Sequence, residues 1–225
     1  MLIMPTSENM PALRPPQNDF SFDGILTLAG DFFMEKGRVY ETMRRLAQRL
    51  ESEKIEYAII GGMALAAHGY ARLTLDVDVL MTVEGLRTFR ERLVGRGYVP
   101  AIPGTQKAFR DTESHIRIEI ITAGDFRGDG LPKPVAFPDP TGKTLTHGGV
   151  RVITLEHLIE LKLASGLSAP HRLRDVADVQ DLIMALALPL VLEEKLDQSV
   201  RAEYRRLWEI AQKAREHSDQ SESIE

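Results

Sequence analysis

The chain has 225 residues, 43% hydrophobic and 27% charged, which allows one good-sized soluble domain or a domain with a small helical appendage. It contains no cysteine, which excludes disulfides, thiol chemistry and cysteine-ligated zinc and is compatible with a cytoplasmic location. The formal net charge of −5 argues against a general nucleic-acid coat protein but leaves room for a local basic groove.

No uninterrupted apolar stretch is long enough to span a bilayer, and the first residues lack the basic-then-apolar order of a signal peptide, so no membrane partner is expected. Residues 1–18 hold four prolines and little apolar periodicity, which predicts a disordered leader. Over residues 33–54, Val39, Met43, Leu46 and Leu50 recur at three- and four-residue spacing, the pattern of an amphipathic helix. Residues 57–60 form an apolar run that ends at Gly61 and Gly62 and reads as a buried strand. The alanine-rich residues 63–68 predict a short helix, and the apolar run 75–81 a second strand. A helix follows at about 84–95, with Gly97 as its stop, then short extended segments at 98–102 and 107–111. Residues 115–122 alternate cleanly, with Ile116, Ile118 and Ile120 on one face and Arg117, Glu119 and Ile121 on the other. Residues 123–145, rich in Gly, Pro and Asp, predict a long surface loop, and 150–153 a last short strand. Thr154 has the position of an N-cap for a helix carrying Leu155, Leu158, Ile159 and Leu163. Two further helices are expected, from Pro170 to about 188 and from about 189 or 191 to 214, and 217–225 predict a disordered acidic tail. The class is α/β (α+β): a mixed sheet flanked by helices over 19–153 and a helical C-terminal part over 154–216.

The chemistry concentrates around residues 57–81. Side chains at i and i+2 on a strand share a face, so Asp76 and Asp78 project together while Leu75, Val77 and Val79 pack behind them. Two close carboxylates repel unless a cation lies between them, and Mg²⁺ takes one or two carboxylates plus waters and phosphates. If strands 75–81 and 115–122 are neighbours, Glu119 can join the pair; three carboxylates around two Mg²⁺ ions is an arrangement that drives in-line phosphoryl or nucleotidyl transfer. An isolated Asp-x-Asp is otherwise a solvated strand face. Gly61 and Gly62 stand where a strand hands over to a helix, which lets backbone amides approach a triphosphate or simply makes a tight turn. Arg72 and Thr74 either hold phosphate oxygens or merely flank the strand.

The stretch GGMALAAHGYARLTLDVDVL resembles the first motif of the nucleotidyltransferase superfamily that includes DNA polymerase β, and more narrowly it is similar to AbiEii-type toxins. Their third motif matches Glu156, Ile159 and Lys162, and their fourth matches Arg174, Asp175, Asp178, Val179 and Leu182; together the match covers roughly residues 55–185. The resemblance implies a pol β-like sheet, two Mg²⁺ ions, an NTP donor and a lysine reaching the triphosphate from the helical part. It further implies Asp76, Asp78 and Glu119 as catalytic metal ligands, with Gly61, Gly62, Arg72, Thr74, Lys162, Asp175 and Asp178 around the nucleotide. One departure is that the third acid is Glu119 rather than Asp, longer by a methylene. The acceptor hydroxyl would belong to RNA, tRNA or a protein, and the toxin would have a cognate antitoxin. The alternatives are an aminoglycoside-type small-molecule nucleotidyltransferase, and a catalytically weak nucleotide-binding antitoxin or regulatory protein of the same fold.

Other roles are open to several of these residues. A lysine at the edge of an apolar stripe, as Lys162 is, ordinarily snorkels to water. Asp175 and Asp178, three apart on one helix face, can pair with Arg172, Arg174 or Lys162 for structure. His68 reads as a satisfied, partly buried histidine. Arg87, Arg90, Arg92 and Arg96 on one helix, and Arg201, Arg205 and Arg206 on the last, are solvated faces or a path for an RNA acceptor. Gly142-Lys143-Thr144 lacks the first glycine of a phosphate-binding loop, and no zinc-binding histidine spacing is present.

Overall fold

The computed structural model describes residues 37–126 and 134–222. The expected leader, the first residues of the first helix and the centre of the long loop lie outside the described residues. Strand β1 (Tyr57–Ile60) is buried along its whole length, and it pairs antiparallel with β2 (Asp76–Met81), so that Ile60 stands opposite Asp78. Strand β2 in turn pairs parallel with β5 (Arg117–Thr122), and β1 pairs parallel with β7 (Val150–Ile153). With β3 (Tyr98–Pro100), β4 (Ala108–Asp111) and β6 (Thr144–His147) they form one mixed seven-stranded sheet in the order β3-β4-β5-β2-β1-β7-β6.

One face of the sheet is apolar because the alternation of β2, β4 and β5 puts Val77, Val79, Phe109, Ile118 and Ile120 on the same side, all buried. Helix α1 (Arg38–Ser52) lies against β2 and β7 with Leu46 and Leu50 fully buried. Helix α3 (Val83–Arg92) packs on β5, and its Phe89 meets Tyr98 and Phe109 at ring-centroid distances of 5.2 and 5.0 Å. Between β1 and β2 runs the short helix α2 (Gly61–Ala67). The C-terminal part is helical: α4 (Leu155–Ser168), α5 (Leu173–Ala185) and α6 (Gln198–Glu222) pack on one another and share one continuous core with the sheet. Among the described residues no helix is long and apolar enough to cross a membrane.

Several local expectations are corrected. The helix after β1 starts at Gly61 rather than Met63, because Gly61 enters at φ +66, where a side chain is disfavoured. Leu75 does not pack behind the acidic pair; it lies just before β2 and is 51% exposed. Thr154 occupies the N-cap of α4, but its hydroxyl meets His157 Nδ1 at 2.8 Å instead of a backbone amide. The expected loop 123–145 gives way to strand β6 from Thr144, joined to β7 through Gly148 and Gly149, both at positive φ, as a two-residue hairpin turn requires. The last helix runs on to Glu222, so most of the expected disordered tail continues it.

Candidate active site

Two short segments interlock at the end of β1. A Cβ on Gly61 would fall 2.0 Å from Asp78 Oδ2, and one on Gly62 would fall 2.8 Å from Thr74 Cβ. Thr74, itself nearly buried, donates its hydroxyl to Asp76 Oδ1 at 2.9 Å. The glycine pair therefore has to be bare for the carboxylate-bearing strand to approach it, and Thr74 fixes the rotamer of the first aspartate. Asp76 and Asp78 share a face and are partly exposed, while Val77 and Val79 between and after them are fully buried.

Register places the third acid. Asp78 stands directly across from Glu119 on β5, and Asp76 across from Arg117, all on the face opposite the apolar one. Glu119 is half-exposed and accepts a hydrogen bond from Arg117 Nη2 at 3.1 Å. Among the described residues no three of Asp, Glu and His converge closely enough to hold an ion, so Glu119 is in register with the pair but not part of a preassembled ligand set.

The other wall is helical. Lys162 does not snorkel to water: it is 3% exposed, and its ammonium donates to Asp178 Oδ2 at 2.6 Å and to Asp175 Oδ1 at 3.0 Å. Asp178, 2% exposed, also receives Arg72 in a two-pronged pair, Nε to Oδ1 at 2.7 Å and Nη2 to Oδ2 at 3.0 Å. Asp175 accepts from Ser165 Oγ at 2.5 Å as well. Lys162 and Arg72 thus balance Asp175 and Asp178, which is how charges survive burial. Two residues before Arg72, Tyr70 donates to Asp181 at 2.5 Å; that carboxylate, with help from burial, pushes the phenol up to about 12. The segment between α2 and β2 is consequently stapled to α5 at two successive turns. His68, at the C-cap of α2, meets the Ile153 carbonyl at 2.8 Å through Nε2, and burial lowers its pKa.

The two walls enclose a cleft of about 450 Å³. Gly61, Gly62, Arg72, Thr74, Asp76 and Asp78 face Lys162 and Asp175 across it. Asp178 is behind the lining, and Glu119 is outside it. Arg174, which matches the fourth motif and is offered by spacing only as a partner for the two aspartates, also lines the cleft and is exposed there. Glu156 and Ile159 of the third motif do not reach the cleft: Glu156 is approached by Lys195 at 3.4 Å and Ile159 is buried in the core. The arginine faces considered for an RNA path are largely engaged: Arg87 with Glu84 and Glu91, Arg92 with Glu53, Arg205 with Glu193 and Arg206 with Glu203.

The donor set at Asp76 and Asp78 suits a hard divalent cation held by two carboxylates, with water and phosphate oxygens completing its shell. The space in front of the pair is open to the cleft, and the bare Gly61 backbone lies against Asp78.

No family model and no curated protein matches the chain. Several solved structures resemble it. A Thermotoga maritima protein described as a nucleotidyltransferase gives a TM-score of 0.43, with 20% identity over 61% of this chain and 91% of its own. The antibiotic-resistance factor ANT(2″)-Ia, solved with adenylyl-2″-tobramycin, gives 0.49, with 16% identity over 74% and 96%. A nucleotidyltransferase-like antigenic protein from Paracoccidioides brasiliensis gives 0.46, with 18% identity over 82% and 90%. At that distance these likenesses assign no chemistry, which must come from the cleft itself.

Proposed function

We propose that the chain is a Mg²⁺-dependent nucleotidyltransferase of the pol β superfamily that moves a nucleoside monophosphate from an NTP to an acceptor hydroxyl. The observation that carries this reading is the cleft, where a paired-aspartate strand and a bare glycine turn face a lysine and an arginine from the helical part. In this reading Asp76 and Asp78 hold the divalent ions, and Thr74 keeps Asp76 in its productive rotamer. Gly61 and Gly62 give the triphosphate close access to backbone, while Arg174, joined by Arg72 and Lys162 once the phosphates draw them from Asp178 and Asp175, supplies positive charge along its path. Mg²⁺, when bound, neutralises phosphate charge and favours departure of pyrophosphate. The acceptor oxygen forms a bond to the α-phosphorus as the bond to the bridging oxygen breaks, and pyrophosphate leaves. Glu119, once released from Arg117, takes the hydroxyl proton. The AbiEii-type branch, the toxin role, a cognate antitoxin and a cytoplasmic location rest on the sequence resemblance and composition alone.

The purified chain should show an Mg²⁺-dependent rise in melting temperature with at least one NTP. Labelled NTP and cell extract should then yield a labelled product whose size identifies the acceptor. Absence of both the shift and the transfer would remove the enzyme reading. A second reading has its own support: Lys162 is tied to two carboxylates and Glu119 to Arg117. A nucleotide-binding protein with weak or no catalysis would look the same, and it would give the thermal shift without the product.

A further inference from the structure

A second depression, of about 240 Å³, meets the cleft at Leu75 and Asp76. Four basic side chains frame it: Arg38 from the start of α1, Arg110 from β4, His115 from the β4–β5 turn and Arg117 from β5. Strand register explains how two of these groups come to face Asp76. Arg110 is directly across from Arg117, and Arg117 directly across from Asp76, so the three residues lie in one row on the face that carries the acidic pair. The next row along reads Ala108, Glu119, Asp78.

That arrangement is unfavourable without a ligand. Like charges directly opposite on neighbouring strands destabilise a sheet. Arg117 finds relief in Glu119, but among the described residues neither Arg38 nor Arg110 forms an ion pair with a carboxylate. Each instead donates to backbone: Arg38 Nη2 to the Ser114 carbonyl, and Arg110 Nη1 to the His115 carbonyl at 3.1 Å. His115 sits at φ +61, an uncommon conformation for a residue with a side chain, and the turn it makes offers those two carbonyls as anchors. Both guanidiniums keep further N–H groups for another acceptor. The molecule as a whole is acidic, so the cluster is not a sample of a generally basic surface.

We propose that this depression is an anion subsite for the acceptor: the hydroxyl brought to Asp76 belongs to a phosphate ester whose phosphate is gripped by Arg38 and Arg110, with Arg117 beside it. The proposal rests on the nucleotidyltransferase reading for the word acceptor, and on the arginine cluster alone for the phosphate. A volume below that of ordinary ligand sites fits the end of a molecule rather than all of it. A polycationic acceptor would meet three guanidiniums and be repelled. Two sources share this chemistry, the terminus of an RNA strand and a small sugar phosphate.

The test compares the wild-type chain with Arg38→Ala plus Arg110→Ala; Arg117 is left alone because it touches Glu119. The probes are a short labelled single-stranded RNA and ribose 5-phosphate, with the Mg²⁺–NTP thermal shift read in parallel. Removing two charge-assisted donors should weaken RNA binding by about a hundredfold, roughly tenfold for each. The slope of log affinity against log salt should flatten by about 0.7 for each phosphate that is no longer neutralised, which a merely structural role would not produce. The NTP shift should be unchanged. If ribose 5-phosphate competes with the RNA and needs the same two arginines, the acceptor is a small ester; if only RNA binds, it is a strand end. Either result supports the subsite. Should the alanine pair fail to fold, Arg38→Lys with Arg110→Lys keeps the charge and loses the fork, so affinity should fall severalfold with the salt slope retained. Failure of both probes to bind, or binding indifferent to these arginines, overturns the proposal. Phosphate binding through Arg38 and Arg110 in a chain that shows no NTP shift would instead sink the nucleotidyltransferase reading and leave a phosphate site without an acceptor role.

Discussion

The two walls of the cleft solve the same electrostatic problem in different ways. On the sheet wall, Asp76 and Asp78 are partly exposed and face open space, steadied by Thr74 and the bare glycine turn. On the helical wall, Lys162, Asp175 and Asp178 are closed on one another and on Arg72, which reaches over from the α2–β2 segment, with the lysine and Asp178 almost entirely buried. One wall lies open to the cleft; the other is closed by its own ion pairs. The contrast teaches that position in a motif does not fix a residue's state. Lys162 is where the resemblance wants it, yet a triphosphate would have to compete with two carboxylates for its ammonium.

The largest expected effect comes from stripping charge from the open wall. Asp76→Asn with Asp78→Asn keeps the side-chain volumes and removes mutual repulsion. The melting temperature should therefore hold or rise while nucleotide transfer falls by several orders of magnitude. Unfolding of that variant, seen by calorimetry, would show the aspartates to be structural and erase the difference between the walls. Arg72, one conceivable partner for such a role, is already engaged by Asp178.

The closed wall should respond in the opposite way. Lys162→Ala leaves the buried Asp178 with Arg72 alone and Asp175 with the longer Arg172 contact at 3.8 Å. Breaking a buried pair from one side costs about 3–5 kcal/mol, so the loss should appear first in denaturant titration and only then in NTP affinity. A variant of unchanged stability that has lost NTP binding would mean the lysine is free for the nucleotide after all.

A smaller effect should follow Gly61→Ala, which adds no charge to either wall. The new methyl would press on Asp78 Oδ2 from a backbone at φ +66, and strain of that kind is of order 1–3 kcal/mol. Denaturant midpoints measure it, and an alanine variant with native stability would show that the turn can relax away from the strand.

What could be read before folding divides along the same line. The sheet wall is local: Gly61, Gly62, Asp76 and Asp78 lie within one strand–helix–strand unit, so period-two alternation and glycine placement were enough to put them on one face. Glu119 required one assumption, that β2 and β5 are neighbours, and the register supplies it. The helical wall is a matter of partners, and spacing says nothing about partners. Arg72 meets Asp178 across 106 residues of chain and Tyr70 meets Asp181 across 111, and no pattern within a segment encodes those distances. Lys162 therefore looked like a lysine with a choice between water and a ligand, when burial between two helices had removed the first option. Strand β6 was hidden for a simpler reason: its own four residues are ordinary, and the sign of them lay in the Gly148-Gly149 turn that follows.

The staple between the α2–β2 segment and α5 has a consequence for how the cleft comes into being. Pairing of β1 with β2 closes a short loop, whereas Tyr70–Asp181 and Arg72–Asp178 close very long ones, and long closures form late because chain entropy must be lost before any contact rewards it. The acidic strand and its glycine turn are accordingly expected to be in place while the C-terminal helices are still searching. A nascent chain released through α3 would carry the aspartate pair before its neighbouring strand β5 exists, and the opposing wall would arrive only after α4 and α5 had been made.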